Sequence, residues 1–296
     1  MSSESSEPLF NKMAVIGVGL IGGSLGMAAK SYNLAGSVAG YGRSLANLED
    51  AVQLGAIDSI ATSPRDCVDD ADIVFVCTPV RTVSSTLCEI AESLKEGAVV
   101  TDVGSSKRLI VEQAEAIVPK GRHFIGGHPM AGTEKSGAVH AFPELFKSAT
   151  YVLTPQADTD SSVLQKLRTF VERLGARCEI MNALDHDKSV AAISHLPHVI
   201  ASALLAVAEH SNAETGKSFR LAAGSFRDVT RIAESPPEIW RDICVTNADL
   251  ICDEIDEFAE WMGRFKNALV SRDEQELMKL FEQGSRIRKA YNRTPK

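Results

Sequence analysis

Short apolar runs alternate with amphipathic segments along the chain as far as residue 183. Each run is four to six residues long, which is typical of strands buried in a parallel sheet, and the segments between them have helical spacing. This alternation predicts an α/β domain with a doubly wound, mostly parallel sheet. The expected strands are residues 13–16, 36–41, 73–77, 98–102, 124–127, 151–154 and 176–181.

The pattern changes from residue 184 on, where apolar residues recur at helical intervals, as at Val190 and Ile193, and strand signals stop. Pro197 is expected to kink the first long helix, and Ser271-x-x-Glu274 reads as a capping box opening the last one. We therefore predict an all-α domain at 184–296. Its apolar faces exceed what one small bundle needs, which favours a dimer interface.

The turn after the first strand is rich in glycine: Gly17-x-Gly19-x-x-Gly22, followed at once by an Ala-rich helix. Strand, glycine turn and helix in this order form the dinucleotide-binding fingerprint of a Rossmann-type domain, here spanning 13–183. Thr78 and Pro79 end a second strand at the edge of the sheet where such a cofactor lies. The expected contacts on these two turns are Gly17, Gly19, Leu20, Ile21, Gly22, Thr78 and Pro79.

The second strand ends without the acidic residue that would hold the ribose of NAD. Gly42 stands there, followed by Arg43 and Ser44, which would suit the 2′-phosphate of NADP. Arg43 as a solvated loop residue stacking on adenine is the alternative, and NAD tolerates it. The pattern favours NADP slightly over NAD.

Composition narrows the class of protein. The 296 residues are 44% hydrophobic with a net charge of -8, which indicates a globular protein and argues against a nucleic-acid partner. Residues 1–12 are polar, read as a flexible tail, and lack the features of a signal peptide. No apolar run is expected to reach the ~20 residues of a membrane span, and the six cysteines lack metal-ligand spacing. A cytoplasmic protein with no membrane partner and no metal is expected.

His128 is the foremost candidate for acid–base chemistry. It ends the strand at 124–127, next to Pro129, and so lies at the same edge of the sheet as the expected cofactor. Ser105 ends the preceding strand and is expected to share a hydrogen bond with His128 and a substrate hydroxyl. The alternative is that His128 is an ordinary loop histidine.

The helical half offers further candidates. His195 and His198 lie on one helix face, but without a third ligand they suggest substrate contact or interdomain packing instead of a metal. Asp228 and Arg231 also share a face, where Arg231 would grip a carboxylate or form a structural ion pair. Trp240 would be either core or a wall of the pocket.

Taken together, these motifs resemble the prephenate dehydrogenase family, which includes arogenate and cyclohexadienyl dehydrogenases. The His-Pro-Met-Ala-Gly-Thr-Glu and Ser-His-Leu-Pro-His blocks are far more specific than the glycine turn. The matching segments are residues 17–25, 102–107, 126–137, 194–198, 226–235 and 240–242.

The resemblance implies oxidative decarboxylation of prephenate to 4-hydroxyphenylpyruvate in tyrosine biosynthesis, with hydride transfer to NAD or NADP. It implies that His128 polarises or deprotonates the 4-hydroxyl, that Ser105 orients it, that Arg231 anchors a carboxylate and that His198 contacts the other end. Second-line positions that shape or gate the pocket would be His195, Glu134, Asp228 and Trp240. Prephenate and arogenate, or both, remain open as substrates.

Two other classes compete with this interpretation. One is a Rossmann-type hydroxy-acid dehydrogenase, which usually carries a catalytic lysine in its helical domain; Lys188 is the candidate here. The other is a non-catalytic NADP-binding dimer, which would have no need for Ser105, His128, His198 and Arg231 together.

Overall fold

The computed structural model describes residues 7–133 and 135–292. They separate into two compact units, of which the first ends at Asn247 and the second begins at Ala248. The predicted domain boundary at 183 falls within the first unit, since the helices just beyond it belong to that unit with the sheets, and it stays a prediction.

The first unit is built on a six-stranded, all-parallel sheet with strand order β3-β2-β1-β4-β5-β6. Residues 13–16 and 73–76 on its two central strands are apolar and buried, because both faces of the sheet are covered by other elements there. This confirms the α/β Rossmann-type prediction. The strands are β1 (Phe10–Ile16), β2 (Ala35–Tyr41), β3 (Ser59–Ile60), β4 (Ile73–Val76), β5 (Val99–Asp102) and β6 (His123–Phe124).

Six α-helices connect the strands up to residue 177. Three of them begin at an N-cap whose side chain accepts a hydrogen bond from a backbone N–H in the first turn, as Asp160 does from Ser162 and Val163. Asn182 caps the helix that begins at Ala183 in the same way. The helices are α1 (Leu20–Ser31), α2 (Leu45–Gln53), α3 (Pro64–Val68), α4 (Val83–Ile90), α5 (Arg108–Ile117) and α6 (Ser161–Arg173).

The last strands do not extend the large sheet. They form a separate three-stranded sheet, antiparallel between β7 and β8 and parallel between β8 and β9. The run expected as one strand at 124–127 divides after Phe124, and the backbone N–H of Gly127 donates to the Asp102 carboxylate instead of a strand. The strands are β7 (Gly126–Pro129), β8 (Thr150–Thr154) and β9 (Arg177–Ile180).

The first strand begins at Phe10, three residues before the predicted Met13. Phe10 is buried, with its ring 6.1 Å from that of Phe170 in an edge-on contact. The prediction of a flexible tail over 1–12 is therefore wrong from Phe10 on, because this ring is part of the core. Residues 1–6 lie outside the described residues.

Helices complete the first unit. A π-helical turn, Ala191–His195, immediately precedes Pro197, which is the irregularity expected where a proline removes a helix hydrogen bond. The helices are α7 (Ala183–Val190), α8 (Leu196–Thr215), α9 (Gly224–Thr230) and α10 (Pro237–Thr246).

The second unit consists, in its described part, of α11 (Ala248–Ser271) and α12 (Glu274–Tyr291). The predicted capping box is wrong: Ser271 ends α11, and Asp273 caps α12 by accepting a hydrogen bond from the Glu276 N–H. The aspartate is preferred because α11 runs on through Ser271.

One helical stretch among the described residues, Ala183–Thr215, is long and apolar enough to span a membrane by length and composition alone. The expectation that no segment reaches this length is wrong by that measure. The same stretch carries His186, Asp187 and His195, all of which are buried inside the first unit.

Candidate active site

The glycine turn between β1 and α1 is closely packed. Gly17 has a φ of 97°, and a Cβ there would lie 2.6 Å from the carbonyl oxygen of Cys77. A Cβ on Gly22 would lie 2.3 Å from the Gly17 carbonyl oxygen. By contrast, a Cβ on Gly19 would meet nothing within 4 Å, so this backbone faces open space. The turn thus needs glycine at Gly17 and Gly22 for packing and leaves Gly19 open to a ligand.

A cleft of about 490 Å³ lies above this turn. Helix α1 starts at it with no side-chain cap, so the N–H groups of its first turn are free for an anion. These features suit the pyrophosphate of a dinucleotide. The predicted cofactor contacts that line the cleft are Gly17, Gly19, Arg43, Ser44, Thr78 and Pro79. The remaining three, Leu20, Ile21 and Gly22, do not line it and form the first turn of α1 instead.

The far end of the cleft holds the residues expected to select the cofactor. Arg43 is exposed, whereas the Ser44 hydroxyl caps α2 by accepting a hydrogen bond from the Asn47 N–H. Asn47 in turn bonds the Val18 carbonyl and the Ala138 N–H, which fixes this corner. Arg43 is therefore an exposed cation at this end of the cleft, and Ser44 is held by its capping role.

A second cavity of about 710 Å³ brings together five predicted site residues. Ser105 follows β5 and Thr78 follows β4, and these strands are neighbours, so this cavity and the cofactor cleft occupy the same edge of the sheet. Residues that sequence reasoning had not singled out, such as Ser194 and Glu234, also line it. The predicted residues on its wall are Ser105, His128, His198, Arg231 and Trp240.

His128 is 8% exposed and lies on the wall of this cavity. Its Nδ1 is 2.8 Å from Nε2 of His186, and no hydrogen bond joins it to Ser105. His186, and not Ser105, therefore bonds Nδ1 of His128, and the hydrogen bond expected to join Ser105, His128 and a substrate hydroxyl stays a prediction. Burial, reinforced by His186, Lys107 and His195, holds the pKa of His128 well below its usual value. His128 is therefore strongly biased to its neutral form.

The two histidines of the Ser-His-Leu-Pro-His block have different surroundings. His198 stacks on the Trp240 ring with centroids 3.4 Å apart and lies on the cavity wall. His195 is buried behind it, does not line the cavity, and lies 3.2 Å from Asn247 through Nδ1. Burial lowers the pKa of each to about 4, so both are neutral near pH 7.

Arg231 is an exposed side chain on the cavity wall. It forms no ion pair with Asp228, which does not line the cavity, since α9 ends at Thr230 and Arg231 begins a 3₁₀ turn. The structural ion-pair alternative is thus absent. Among the described lining residues Arg231 is the sole lysine or arginine.

A buried polar network that the motifs did not reveal lies beneath the cavity. The ammonium of Lys107 donates to the Asp102 carboxylate and, at 2.9 Å, to the Gly127 carbonyl next to His128. The Lys107 N–H donates to the carboxylate of Asp187 on α7. A charged pair such as Asp102 and Lys107 on an otherwise apolar strand end was the available sequence signal; for His186 and Asp187 it was their position in a helix expected to be apolar.

Glu134 lies outside the described residues. Lys188, the base expected of a hydroxy-acid dehydrogenase, is exposed and does not line the cavity. Among the described residues no group of His, Cys, Asp or Glu has the arrangement of a metal site.

Comparison with known proteins places this geometry in a family. Residues 25–180 match the model of the prephenate dehydrogenase nucleotide-binding domain, and residues 182–283 match the prephenate dehydrogenase dimerization domain. Prephenate dehydrogenase of Bacillus subtilis is 37% identical over 90% of this chain and 72% of its own length. Cyclohexadienyl dehydrogenase of Zymomonas mobilis is 34% identical over 95% of this chain and 96% of its own.

Solved structures agree. Prephenate dehydrogenase from Aquifex aeolicus, in complex with hydroxyphenyl propionate and NAD⁺, has a TM-score of 0.88 and 33% identity over 98% of this chain and 100% of that one. Arogenate dehydrogenase from Synechocystis has a TM-score of 0.83 and 32% identity over 95% of this chain and 99% of that one. With both domain models matched along nearly its whole length, the chain belongs to the prephenate dehydrogenase family.

Proposed function

We propose that this chain oxidatively decarboxylates prephenate to 4-hydroxyphenylpyruvate, with NAD or NADP as the oxidant. The observation that carries the proposal is the single cavity in which His128, Ser105 and Arg231 meet, at the sheet edge that also holds the glycine turn. Arogenate, whose side chain carries an amino group in place of the keto group, is the second candidate, because relatives with either name resemble the chain to similar degrees.

The reaction needs little from the protein beyond positioning and one proton acceptor. The glycine turn at Gly17 and Gly19, with Arg43, would hold the dinucleotide, which would supply the acceptor for the hydride leaving C4 of the substrate ring. As the ring carboxylate leaves as carbon dioxide, its bonding electrons enter the ring, and aromatisation drives the step. His128 accepts a hydrogen bond or the proton from the 4-hydroxyl and returns it to the product phenolate. Ser105 orients the same hydroxyl, and the low pKa of His128 keeps it ready as an acceptor.

In this proposal, Arg231 and His198 on the cavity wall bind the substrate. Arg231 is free of Asp228 and offers a planar, always charged fork that matches a carboxylate. His198, neutral and held flat against Trp240, contacts the other end of the substrate. In this proposal His195, Asp228 and Glu134 shape or gate the pocket from outside its wall.

The reaction and its cofactor are tested in one assay. Prephenate and arogenate are each offered with NAD and with NADP, and the absorbance of the reduced nicotinamide is followed. We expect turnover with prephenate and a preference for NADP, since Arg43 is exposed at the ribose end of the cleft. Arg43→Ala should then raise the KM for NADP about 10- to 100-fold and leave that for NAD nearly unchanged.

Each outcome of that assay is informative. Equal use of the two cofactors, or no effect of Arg43→Ala, would contradict the role of Arg43 but not the reaction. Turnover of arogenate alone would replace the substrate. No turnover in any of the four combinations would remove the enzymatic proposal and favour a dinucleotide-binding dimer.

His128→Asn should lower kcat about 10²- to 10⁴-fold, because the acceptor for the hydroxyl proton is lost. Cofactor affinity, measured by fluorescence titration, should stay within about twofold, and His140→Asn, which changes an exposed histidine, should keep full activity. Since burial lowers the pKa of His128, its neutral form predominates above pH 6.5. The kcat/KM of the wild type should be level from there to neutrality and fall only as the pH drops through that lowered pKa. A loss smaller than tenfold would contradict the role.

Arg231→Ala should raise the KM for prephenate about 10- to 100-fold with a much smaller change in kcat, because the charged hydrogen bonds to a carboxylate are lost in ground and transition state alike. Arg231→Lys should be intermediate, since an ammonium cannot form the bidentate contact. Arg227→Ala, one turn earlier on α9 and away from the cavity, serves as the matched control. An unchanged KM would mean that another group binds the carboxylate.

We also propose that residues 184–296 bind substrate and pair with the same region of a second copy, in a cytoplasmic protein with neither membrane nor nucleic acid as partner. The match of residues 182–283 to a dimerization domain supports this, as do exposed apolar side chains on α8 and α11. A second copy would also cover apolar surface of the long 183–215 helix.

Sedimentation should therefore give twice the mass of one chain at assay concentration. Val207→Glu on α8 should weaken the dimer, whereas Leu45→Glu on α2, at a similarly exposed apolar residue outside the matched region, should not. A wild-type monomer, or equal effects of the two variants, would contradict this assembly.

A further inference from the structure

A line of three buried side chains leads from the substrate cavity into the protein behind His128. The Nδ1 of His128 lies 2.8 Å from Nε2 of His186, whose own Nδ1 lies 2.7 Å from Oδ1 of Asp187. His186 is 1% exposed and Asp187 is fully buried. The two contacts therefore form a continuous line from α7 to the cavity wall.

Asp187 is held in place by backbone hydrogen bonds as well as by its contact with His186. Its two oxygens accept hydrogen bonds from the backbone N–H groups of Lys107, at 2.7 Å, and Arg108, at 2.9 Å. These two residues are the N-cap and first residue of α5, where the helix dipole favours a negative charge. Both oxygens of the Asp187 carboxylate therefore serve as hydrogen-bond acceptors.

The position of each proton follows from this acceptor. Because a carboxylate can only accept, Nδ1 of His186 must carry the hydrogen. In a neutral His186 the other nitrogen, Nε2, then has a lone pair and accepts from His128. Nδ1 of His128 must therefore be protonated, which leaves its Nε2 with a free lone pair. Among the described residues no hydrogen bond occupies that nitrogen.

We propose that the Asp187–His186 pair is a positioning element for His128, which holds its Nδ1 protonated and presents the lone pair of Nε2 to the substrate hydroxyl. The pair also stabilises the imidazolium that forms when Nε2 takes the proton, since the Nδ1–H bond then points at an acceptor backed by a carboxylate. Asp187 and His186 never reach the substrate and do not change their own protons. This inference rests on the role proposed for His128.

In the opposite arrangement of protons, Nε2 of His128 would carry a hydrogen and could not accept one from the substrate hydroxyl. If His186 carried a second proton, it would donate to Nδ1 of His128, and the hydrogen of His128 would move to Nε2, facing the cavity. The charged and titratable groups around the line are Asp187, Lys107, Asp102 and His195. The Asp187 charge is already met by two backbone N–H groups and that of Asp102 by Lys107, so a further cation in this buried region is disfavoured.

The arrangement is tested without substrate by long-range ¹H–¹⁵N spectra of protein labelled with ¹⁵N-histidine. His128 is assigned from the signals that disappear in His128→Asn. We expect His128 in the wild type to be the Nδ1–H tautomer, which is the minor form of free histidine, and to become mixed or Nε2–H in His186→Phe. An Nε2–H tautomer of His128 in the wild type would overturn the proposal.

Kinetics supply the second readout. His186→Phe should lower kcat with prephenate about 100-fold, with KM and cofactor affinity within about threefold, because only the orientation and protonation of His128 are affected. His186→Gln should recover at least a tenth of wild-type kcat, since its amide both accepts from His128 and donates to Asp187. Equal losses in the two variants at matched melting temperatures would mean that His186 merely fills space.

The two proposals fail in different ways. If the wild type turns over neither prephenate nor arogenate while His128 is the Nδ1–H tautomer, the proposed function is wrong and the positioning pair stands. If turnover is normal and the tautomer is Nε2–H, the function stands and the pair has no such role. Should His186→Phe fail to fold, the wild-type spectrum and His186→Gln still decide the question.

Discussion

The buried ion pair between Lys107 and Asp102 is the constraint on which the arrangement of the site depends. Moving two charges out of water costs several kcal/mol for each ion, and only excellent geometry offsets that cost. Here the Asp102 carboxylate also accepts hydrogen bonds from the N–H groups of Gly104 and Gly127, and Lys107 also donates to the Gly127 carbonyl. The pair therefore joins the end of β5 to β7 at the residue before His128. Removing either partner would leave an unpaired buried charge, at about 3–5 kcal/mol.

Lys107 also explains why helices far along the chain belong to the same unit as the sheets. Its backbone N–H donates to Asp187 on α7, and the Asp187 carbonyl accepts from the side chain of Asn247. Asn247 in turn lies beside His195, and Thr246 lies beside Ser106. A single polar layer thus connects the sheet edge to α7, α8 and α10. His128 contacts this layer through His186, and the residue before it, Gly127, bonds Lys107 and Asp102.

Sequence reasoning predicted most of the fold because its signals were local. Apolar runs define the parallel strands. The turn before α1 needs glycine at Gly17 and Gly22, because a Cβ at either position would lie too close to a backbone carbonyl oxygen. It failed where distant contacts decide. Phe10 belongs to the core through Phe170, and β7 leaves the large sheet because Gly127 bonds the Asp102 side chain. Asp273, and not Ser271, caps α12 because α11 continues to Ser271.

The site shows the same division. Motifs identified five residues that do share one cavity, whereas they did not reveal His186, which bonds Nδ1 of His128. The five are Ser105, His128, His198, Arg231 and Trp240. Ser105 was expected near His128 because adjacent strand ends are close in any parallel sheet. That rule does not predict which residues of helix α7 lie beside His128. His186 reaches His128 across 58 positions of sequence, and no periodicity reports such a contact.

The distribution of charge in the first unit explains why two cations so close to one cavity have different tasks. Lys107 is fully buried, and desolvation lowers the pKa of its ammonium, although Asp102 opposes that shift. Its donors are already used by Asp102 and Gly127, so it cannot turn toward an anionic substrate without breaking the layer beneath His128. Arg231 is exposed and unpaired with Asp228, so in its proposed role it would bind a carboxylate at little desolvation cost. His195 and His198, with pKa values lowered to about 4, are neutral near pH 7 and add no charge to this region. Under the proposed roles the base His128 is neutral, because burial lowers its pKa, and the anchor Arg231 is charged, so the two tasks fall on groups of different charge.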